Sequence, residues 1–549
     1  MISNRCARKS LVTNCNSIIS KNYSRFLVDS NDNIYKIIIV YAYLITPFFC
    51  IEAQILPFPN SYSNYSDTLK IKNIVRISGH TPNNYIKNVL EQDIFKGIKV
   101  TYTASHGNIS FQNDNLLPAE AYNIDINNKG IIIKSSSLNG YIYAIQSLRQ
   151  IVIHSSPNTR SFQFTTIKDE PRCKYRSFML DSGRQYQKIE TIKKYIDLMS
   201  LLKMNYFHWH LTEGLGWRIE IKRYPKLTSI GSNVARGKEQ QGYYSQAEVK
   251  ELIIYAKERG ITIIPEIDIP GHSEAALASY PSLGCTEDSI IIPENGFTDQ
   301  LFCAGKDSTL FFLKNVFLEI CNLFPSQYIH IGGDEAPKGK WNKCSLCQSK
   351  IQALGLKDSN QLQLWLMTQI AEYLKTQGKY AICWEDVIHH DFTKEFPNNL
   401  IIHWWNWRGH KDEAFNKACT LGIPVICGTN YYTYLNFPDK PWKGYAQDRT
   451  SSVYDVYYRN ESLPRLSHKN TLGMSCCLWT DYGLTEDLLD QRLFPKIFIL
   501  ANQMWSNSTI TLNDFLTVLI KKKKFYSPLG YTYTINRYSK SDFNKSTTP

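Results

Sequence analysis

Two neighbouring carboxylates, Asp334 and Glu335, are the first candidates for chemistry in this sequence of 549 residues. They follow a short apolar run and two glycines, Gly332 and Gly333, so they stand at the end of a predicted strand. Adjacent side chains on an extended backbone start in opposite directions, so this pair is badly placed to flank one bond as a nucleophile and an acid. Two adjacent carboxylates nevertheless titrate apart, because one stays ionised and raises the pKa of the other. The pair therefore suits a mechanism in which one carboxyl acts as acid and base while the other stays charged.

Further acids, histidines and aromatic residues follow other apolar runs. They are Asp181, Arg184, His208, His210, Glu213, Glu266, Asp268, His272, Trp384, Glu385, Trp404, Trp405, Trp407, Tyr431, Tyr432, Tyr434, Trp479 and Asp481. Aromatic rings stack against the C–H faces of pyranose sugars, whose hydroxyl groups need carboxylate or arginine partners. Aromatic residues also make up 13% of the chain. The mixture predicts a sugar-binding site.

Eight apolar strand segments alternate with amphipathic helical patterns from residue 175 onward. The segments are Tyr175–Leu180, Met204–His210, Ile261–Ile267, Tyr328–Gly332, Tyr380–Trp384, Leu400–Trp404, Ile423–Cys427 and Leu472–Leu478. Such alternation predicts an α/β fold, a (β/α)8 TIM barrel whose catalytic residues follow the strands. A doubly wound open sheet is the alternative, but no glycine-rich phosphate loop follows the first strand.

The composition changes along the chain and predicts four segments. They are an N-terminal extension with a signal-like stretch (1–53), a small α+β domain without catalytic residue types (54–170), the catalytic barrel (171–510) and a C-terminal tail (511–549). We expect the small domain to have a structural role.

The N-terminal extension has the pattern of an export signal. Residues 37–51 form an uncharged apolar run that follows a polar, basic stretch. It is shorter than the roughly 20 residues of a membrane span, and Ala53 is a suitable cleavage point. We therefore expect an exported protein, whether periplasmic, outer-membrane-associated or secreted, with a retained membrane anchor as the alternative.

Charge and cysteine content point to neither nucleic acid nor a metal. The net charge is +13, but the basic residues are dispersed, and the one dense run is Lys521 to Lys524. We therefore do not expect a nucleic-acid partner. Cys344 and Cys347 form a single CxxC, and without a second pair at metal spacing zinc is the less favoured interpretation. Cys285 and Cys303 flank one loop and are a candidate disulfide in an oxidising compartment. No cofactor and no metal are expected.

The segment HIGGDEAP at 330–337 resembles the signature of family 20 glycoside hydrolases, the β-N-acetylhexosaminidases. Six other blocks resemble this family in its order: LDSGRQY (180–186), HWHLTEGLGWRIEI (208–221), PEIDIPGH (265–272), WNWRG (405–409), YLN (434–436) and LWTDY (478–482). Bacterial members also resemble the chain at WNKCSLCQ (341–348). The segment 54–170 resembles the small non-catalytic domain of the family.

The resemblance implies an exo-acting glycosidase that removes terminal, non-reducing β-linked N-acetylhexosamine with retention of configuration. In this mechanism the 2-acetamido oxygen of the substrate attacks the anomeric carbon and forms an oxazolinium intermediate. Asp334 would hold the acetamido N–H and stabilise the developing positive charge. Glu335 would protonate the leaving oxygen and then deprotonate water, and Tyr434 would donate a hydrogen bond to the acetamido oxygen.

The resemblance also implies a set of substrate-binding residues. Three tryptophans would wall the pocket, Arg184 would bind the 3- and 4-hydroxyls, and His272 paired with Glu213 would support the acid. The tryptophans are Trp384, Trp407 and Trp479.

Three positions depart from the pattern of many family members. Glu213 stands where many have Asp, Asn436 where many have Asp, and Asp481 where many have Glu. Asn436 and Asp481 would contact the 4- and 6-hydroxyls, and an amide can donate as well as accept a hydrogen bond. The preference among N-acetylglucosamine, N-acetylgalactosamine and a 6-modified sugar therefore stays open.

Two other functions remain as alternatives. His208 and His210 have the HxH spacing of some metal-dependent barrel hydrolases, but such sites need further ligands at later strands. The later histidines, His330 and His403, lie within strands rather than after them. The second alternative is a catalytically silent sugar-binding protein, and the intact catalytic residue types argue against it.

Overall fold

The computed structural model describes residues 54–79, 83–234, 237, 240–294, 296–388, 396–406, 409, 412–438, 450–480 and 484–526. The signal-like stretch and its cleavage point lie outside this part of the chain, so export stays a prediction. Within the described ranges, no helix combines the length and the apolar character needed to cross a membrane.

The N-terminal part of the described chain is built on one mixed sheet. Its elements are β1 (Ser61–Lys72), β2 (Ile74–Gly79), α1 (Asn84–Val89), β3 (Lys99–Thr103), β4 (Ile109–Asn113), β5 (Tyr122–Asn127), β6 (Gly130–Ser135), α2 (Leu138–Ile151), β7 (Ile153–Ser156) and β8 (Thr159–Asp169). The strands lie in the order β1-β8-β5-β6-β4-β2-β3, with β7 beside β8. Alternate residues of β5, such as Tyr122, Ile124 and Ile126, are buried, because successive side chains of a strand point to opposite faces.

A closed parallel barrel follows, in which every strand pairs with the next and the last pairs with the first. The predicted TIM barrel is confirmed, and each predicted strand agrees with the structure to within two residues at either end. The barrel strands are β9 (Tyr175–Asp181), β10 (Tyr206–His210), β13 (Thr262–Ile269), β14 (Tyr328–Gly332), β15 (Tyr380–Trp384), β16 (Leu400–Trp404), β17 (Val425–Cys427) and β18 (Thr471–Leu478). Two short strands, β11 (Thr212–Glu213) and β12 (Gly216–Trp217), form a hairpin after β10.

Helices cover the outside of the barrel. Helix α5 shows why they form, since Ser245 and Glu248 make a capping box and Val249, Leu252 and Ala256 are buried along one face. The helices are α3 (Ile189–Leu201), α4 (Lys226–Ser229), α5 (Gln246–Glu258), α6 (Glu274–Ser279), α7 (Asp307–Leu323), α8 (Gly339–Lys343), α9 (Ser345–Ala353), α10 (Ser359–Thr376), α11 (Glu413–Thr420), α12 (Val453–Tyr458), α13 (Glu486–Leu493), α14 (Lys496–Trp505), α15 (Leu512–Lys521) and α16 (Lys523–Tyr526).

Buried ion pairs join the small domain to the barrel. Lys203 Nζ lies 3.0 Å from Oδ2 of Asp169, and neither side chain is exposed. Arg176 Nη2 lies 2.8 Å from Oε1 of Glu120. Because breaking one partner of such a pair leaves a buried charge, these contacts hold the two domains together.

The barrel interior is filled in layers, as is general for this fold. One layer is apolar, and its buried members are Tyr175, Ile264, Ile382, Ile401 and Ile426. A second layer contains Met179, Trp384 and Tyr434, which come from the carboxyl-terminal ends of strands or from the loops after them. Polar residues lie at the same end of the barrel as this second layer, and they form the candidate site.

Candidate active site

The floor of the site is organised around Glu266, which lies on β13 and has no exposed surface. Its carboxylate lies 2.8 Å from Nε2 of His208, 2.5 Å from Nδ1 of His210 and 2.9 Å from Nδ1 of His330. It also accepts a hydrogen bond of 2.8 Å from Nε1 of Trp384. Burial raises the pKa of Glu266, but the histidines lower it well below its ordinary value. The ionised carboxylate therefore fixes the indole of Trp384.

Four aromatic rings lie next to one another at the end of the barrel. The centroid of Trp479 lies 5.8 Å from Trp384 and 5.9 Å from Tyr434. Trp405 is parallel to Tyr434 at 6.4 Å with an interplanar angle of 6°. Trp384 and Tyr434 are buried, while Trp405 and Trp479 are partly exposed. The arrangement offers apolar faces to a sugar-sized ligand.

A row of charges leads from β9 to Asp334. Arg184 Nη1 lies 2.9 Å from Oδ2 of Asp181, and Arg184 Nη2 pairs with Oε1 of Glu213. The same Glu213 oxygen lies 2.8 Å from Nδ1 of His272, whose Nε2 lies 3.4 Å from Oδ2 of Asp334. The structure therefore brings these four predicted site residues together in one continuous network with Asp181.

Opposite charges keep this network ionised. Burial raises the pKa of Glu213, but Arg184 and His272 lower it to about 2. Burial lowers the pKa of His272, but Glu213 and Asp334 raise it well above its ordinary value. His272 is thus a buried imidazolium between two carboxylates.

The pKa values of Asp334 and its neighbour Asp268 move in opposite directions. Burial raises the pKa of Asp334, but the charge of His272 lowers it below the ordinary range. Burial and the charge of Asp334 raise the pKa of Asp268 well above its ordinary value. Oδ1 of Asp268 accepts a hydrogen bond of 3.1 Å from the N–H of Gly333. A carboxyl whose pKa is lowered therefore lies beside one whose pKa is raised, with oxygens of the two within 4.8 Å of each other.

The turn before the acidic pair requires glycine at positions 332 and 333. Gly332 has φ of +66°, and a Cβ there would lie 1.6 Å from Oδ1 of Asp268. Gly333 has φ of +106°. Only glycine adopts such angles freely, so the turn that presents Asp334 depends on both positions.

Glu335 occupies a left-handed backbone conformation, with φ of +45°. Its N–H donates a hydrogen bond of 3.1 Å to Oδ1 of Asp386, and its side chain is exposed. Desolvation by the surrounding protein raises the pKa of the Glu335 carboxyl, and the charge of Asp334 raises it further. The pKa values of the two adjacent carboxyls therefore move in opposite directions, and a strained backbone presents the more accessible one.

Asp386 is a site residue that was not predicted from the sequence, and Trp405 was noted at the end of its strand without a specific role. Oδ2 of Asp386 accepts a hydrogen bond of 2.8 Å from Nε1 of Trp405. Burial and the charge of Asp334 raise the pKa of Asp386 to about 7. Both residues follow barrel strands, so their position was a usable signal, but the contact between them is visible only in the fold.

The other predicted site residues divide into described and undescribed positions. Asn436 is buried and lies two residues after Tyr434. The backbone of Tyr434 forms an isolated β-bridge with that of Cys477 in β18. Trp407 and Asp481 lie outside the described residues, so their placement stays a prediction.

The histidines of the barrel interior do not form an open metal site. The ring nitrogens of His208, His330 and His403 lie within 4.8 Å of one another. However, all three are buried, and the ring of His403 stacks on Trp384 at 4.2 Å. A catalytic metal needs an open position for water or substrate. The geometry therefore disfavours the metal-dependent hydrolase that the HxH spacing suggested.

Comparison with known families and proteins agrees with this geometry. The family description "Glycosyl hydrolase family 20, catalytic domain" matches residues 173–508, and "Glycosyl hydrolase family 20, domain 2" matches residues 52–170. A beta-hexosaminidase of Porphyromonas gingivalis is 34% identical over 82% of this chain and 60% of its own length. One of Vibrio furnissii is 35% identical over 69% of this chain and 64% of its own length. The chain thus spans less than two thirds of both relatives.

Two solved structures show the same fold. A beta-N-acetylhexosaminidase of Bacteroides fragilis is 51% identical, with a TM-score of 0.82 over 87% of this chain and 96% of its own. An exo beta-N-acetylglucosaminidase of Vibrio harveyi, in complex with N-acetylglucosamine, is 27% identical, with a TM-score of 0.77 over 88% of this chain and 78% of its own.

Proposed function

The chain belongs to glycosyl hydrolase family 20, and on that premise we propose that it is an exo-acting β-N-acetylhexosaminidase. Its substrate is a glycan that carries a terminal, non-reducing β-linked N-acetylhexosamine. The observation that carries the proposal is the ionised Asp334, held by His272, next to Glu335 with its raised pKa.

Asp334 acts on the substrate's own nucleophile. In the first step the acetamido oxygen attacks the anomeric carbon, the glycosidic bond breaks, and a cyclic oxazolinium forms. In the second step water attacks the same carbon and opens the ring, so the product retains the configuration of the substrate. The carboxylate of Asp334 accepts the acetamido N–H and stabilises the positive charge. Because the charge of His272 holds the pKa of Asp334 below its ordinary value, the negative charge is present before the substrate arrives.

Glu335 is the general acid and then the general base. Its raised pKa keeps the proton that the leaving oxygen needs. After the leaving group departs, the carboxylate takes a proton from the water that opens the oxazolinium ring. Its exposed position supports contact with both the leaving group and the water.

The remaining residues bind and orient the sugar. Tyr434 donates its hydroxyl to the acetamido oxygen, and Trp384 and Trp479 pack against the sugar and its acetyl group. The guanidinium of Arg184, already held by Asp181 and Glu213, binds ring hydroxyls. By the family resemblance, we expect Trp407, Asn436 and Asp481 to contact the sugar as well.

Export of the protein is part of the proposal and rests on the sequence of residues 37–53. An exported enzyme would meet glycans outside the cytoplasm, where terminal N-acetylhexosamine is present on polymers and conjugates.

A panel of aryl β-glycosides tests the function. We expect hydrolysis of the N-acetylglucosaminide, with rates on the N-acetylgalactosaminide and the 6-sulfated sugar that define the preference. The matched glucoside should be inert, because it lacks the acetamido nucleophile, and NMR of the first product should show the β-anomer. Comparable cleavage of the glucoside, or an initial α-product, would overturn the proposal. Binding of N-acetylglucosamine without any turnover would favour the silent sugar-binding alternative.

A further inference from the structure

Among the described residues, four cysteines lie together away from the sugar site. Two follow strand β13 and two lie at the start of helix α9, and they are Cys285, Cys303, Cys344 and Cys347. All four Sγ atoms lie within 4.8 Å of one another. The Sγ–Sγ distances are 3.6 Å for Cys303–Cys347, 3.8 Å for Cys303–Cys344 and 3.9 Å for Cys285–Cys347. None of the four is joined in a disulfide.

These separations match the edges of a tetrahedron around one metal ion. With a zinc–sulfur bond of about 2.3 Å, the sulfur atoms of a regular tetrahedron lie about 3.8 Å apart. We propose that Cys285, Cys303, Cys344 and Cys347 bind one structural zinc ion. Four thiolates and no open position are typical of structural zinc, and soft sulfur ligands favour it over magnesium or calcium.

The site was not recognisable from the sequence, because its two pairs of cysteines are spaced differently. Cys344 and Cys347 form a CxxC, but the other two ligands are 18 positions apart and come from an earlier loop. The sequence therefore offered Cys285 and Cys303 as a candidate disulfide, and zinc at the CxxC was the less favoured interpretation. The fold instead places each of these two thiols against the CxxC.

Backbone hydrogen bonds fix the first pair of ligands. The N–H of Cys303 donates to the carbonyl of Leu283 over 2.8 Å, next to a bridge between Gly284 and Phe302. Lys306 Nζ donates to the carbonyls of Ser282 and Gly284, each over 2.8 Å. These contacts hold the two chain segments side by side, so their thiols do not depend on a disulfide for position.

The second pair lies at the start of helix α9. Cys344 is the residue before the helix and Cys347 is in its first turn. The positive end of a helix stabilises thiolates nearby. Gly305 packs against this turn so closely that a Cβ would lie 2.4 Å from the backbone nitrogen of Cys347. The two halves are therefore built to contact each other.

The ion would join the two loops that carry the proposed catalytic residues. Cys285 and Cys303 lie in the segment after β13, which also holds His272, and the CxxC follows β14 beyond Glu335. The N–H of Phe302 donates to the carbonyl of Pro270 over 3.0 Å, and Nε1 of Trp341 donates to the carbonyl of Phe302 over 2.9 Å. A bound zinc ion therefore stabilises the two segments that hold His272 and Glu335. This role is independent of which substrate the enzyme cleaves.

Elemental analysis of the purified full chain tests the proposal. The protein is prepared without chelator, incubated with Zn²⁺, dialysed and analysed by mass spectrometry for metal. We expect about one tightly held zinc ion per chain, and Co²⁺ in its place should give the visible absorption of tetrahedral cobalt thiolate. Cys347→Ser should lose the ion and lower the Tm, while Cys321→Ser, which removes a partly buried thiol of α7 outside the cluster, should keep both.

A mercurial titration of the wild-type protein avoids dependence on folding of the variants. Modification of the cluster thiols should release zinc in step with the loss of thiols. A wild-type chain with no bound zinc would overturn the proposal, and intact mass would then distinguish two disulfides from four free thiols.

Discussion

Nε2 of His272 lies 3.4 Å from Oδ2 of Asp334, and the charge on this buried imidazole keeps the Asp334 carboxyl ionised. The other ring nitrogen faces Glu213, which is itself held by Arg184. The positive charge of His272 between two acids explains how the largely enclosed Asp334 stays ionised in a site lined by aromatic rings. The proposed mechanism needs that negative charge in the transition state.

Replacement of Asp334 by Asn removes this charge and keeps the shape. We expect kcat for the aryl N-acetylglucosaminide to fall by roughly 10²–10³-fold while KM changes much less, because the charge matters most in the transition state. Steady-state kinetics measure both parameters, and circular dichroism controls for folding. An unchanged kcat would contradict the role of Asp334.

Replacement of Glu335 by Gln removes the transferable proton. We expect a loss of roughly 10²–10⁴-fold on a substrate with a poor leaving group. The loss should be smaller when the leaving aryl group is a weak base that departs without protonation. The alkaline limb of the pH–rate profile, which the raised pKa of Glu335 produces, should also disappear. Equal losses on both leaving groups would contradict general acid catalysis by this residue.

The ionised network should make stability depend on pH in a defined direction. The folded-state pKa of His272 is raised, so its contribution is complete below the unfolded pKa of about 6.5 and is lost as the pH rises through the folded value. His272→Gln should therefore lower the free energy of unfolding by roughly 3–5 kcal/mol near pH 6. The difference from wild type should shrink in alkaline solution, as urea unfolding at several pH values would measure. A difference that grows with pH would show that His272 is neutral in the fold.

The acidic side of the same profile belongs to Glu213. Its folded pKa is lowered to about 2, so its contribution is present above the unfolded pKa of about 4.3 and is lost as the pH falls toward 2. Glu213→Gln should therefore cost stability at pH 6 and almost nothing near pH 2. A constant difference over this range would contradict the ion pair.

Gly332→Ala tests the turn before the catalytic pair. The new Cβ would meet Oδ1 of Asp268 at 1.6 Å, so we expect destabilisation by roughly 1–3 kcal/mol beyond the backbone strain, together with lost activity. Gly355→Ala is the matched control, because φ there is +62° and no atom lies within 4 Å of the new Cβ. Similar Tm values for the two variants would show that the contact with Asp268 does not matter.

The barrel and its strand ends were predictable from the sequence, because strands and turns are specified by residues close together in the chain. The ends of β14 and β15 accordingly placed Asp334 and Trp384 correctly on the barrel. Contacts between distant segments were not predictable in the same way. The bond from Trp405 to Asp386 and the meeting of Cys285 with Cys347 depend on how the loops fold back on the barrel.

In the proposed mechanism the substrate's acetamido oxygen is the nucleophile, and Asp334 assists it. Aryl β-glucosaminides with N-acetyl, N-fluoroacetyl, N-difluoroacetyl and N-trifluoroacetyl groups test this directly, since each fluorine makes the carbonyl oxygen less nucleophilic. The account predicts that kcat falls steeply with every added fluorine. A kcat that is independent of fluorination would contradict substrate-assisted catalysis.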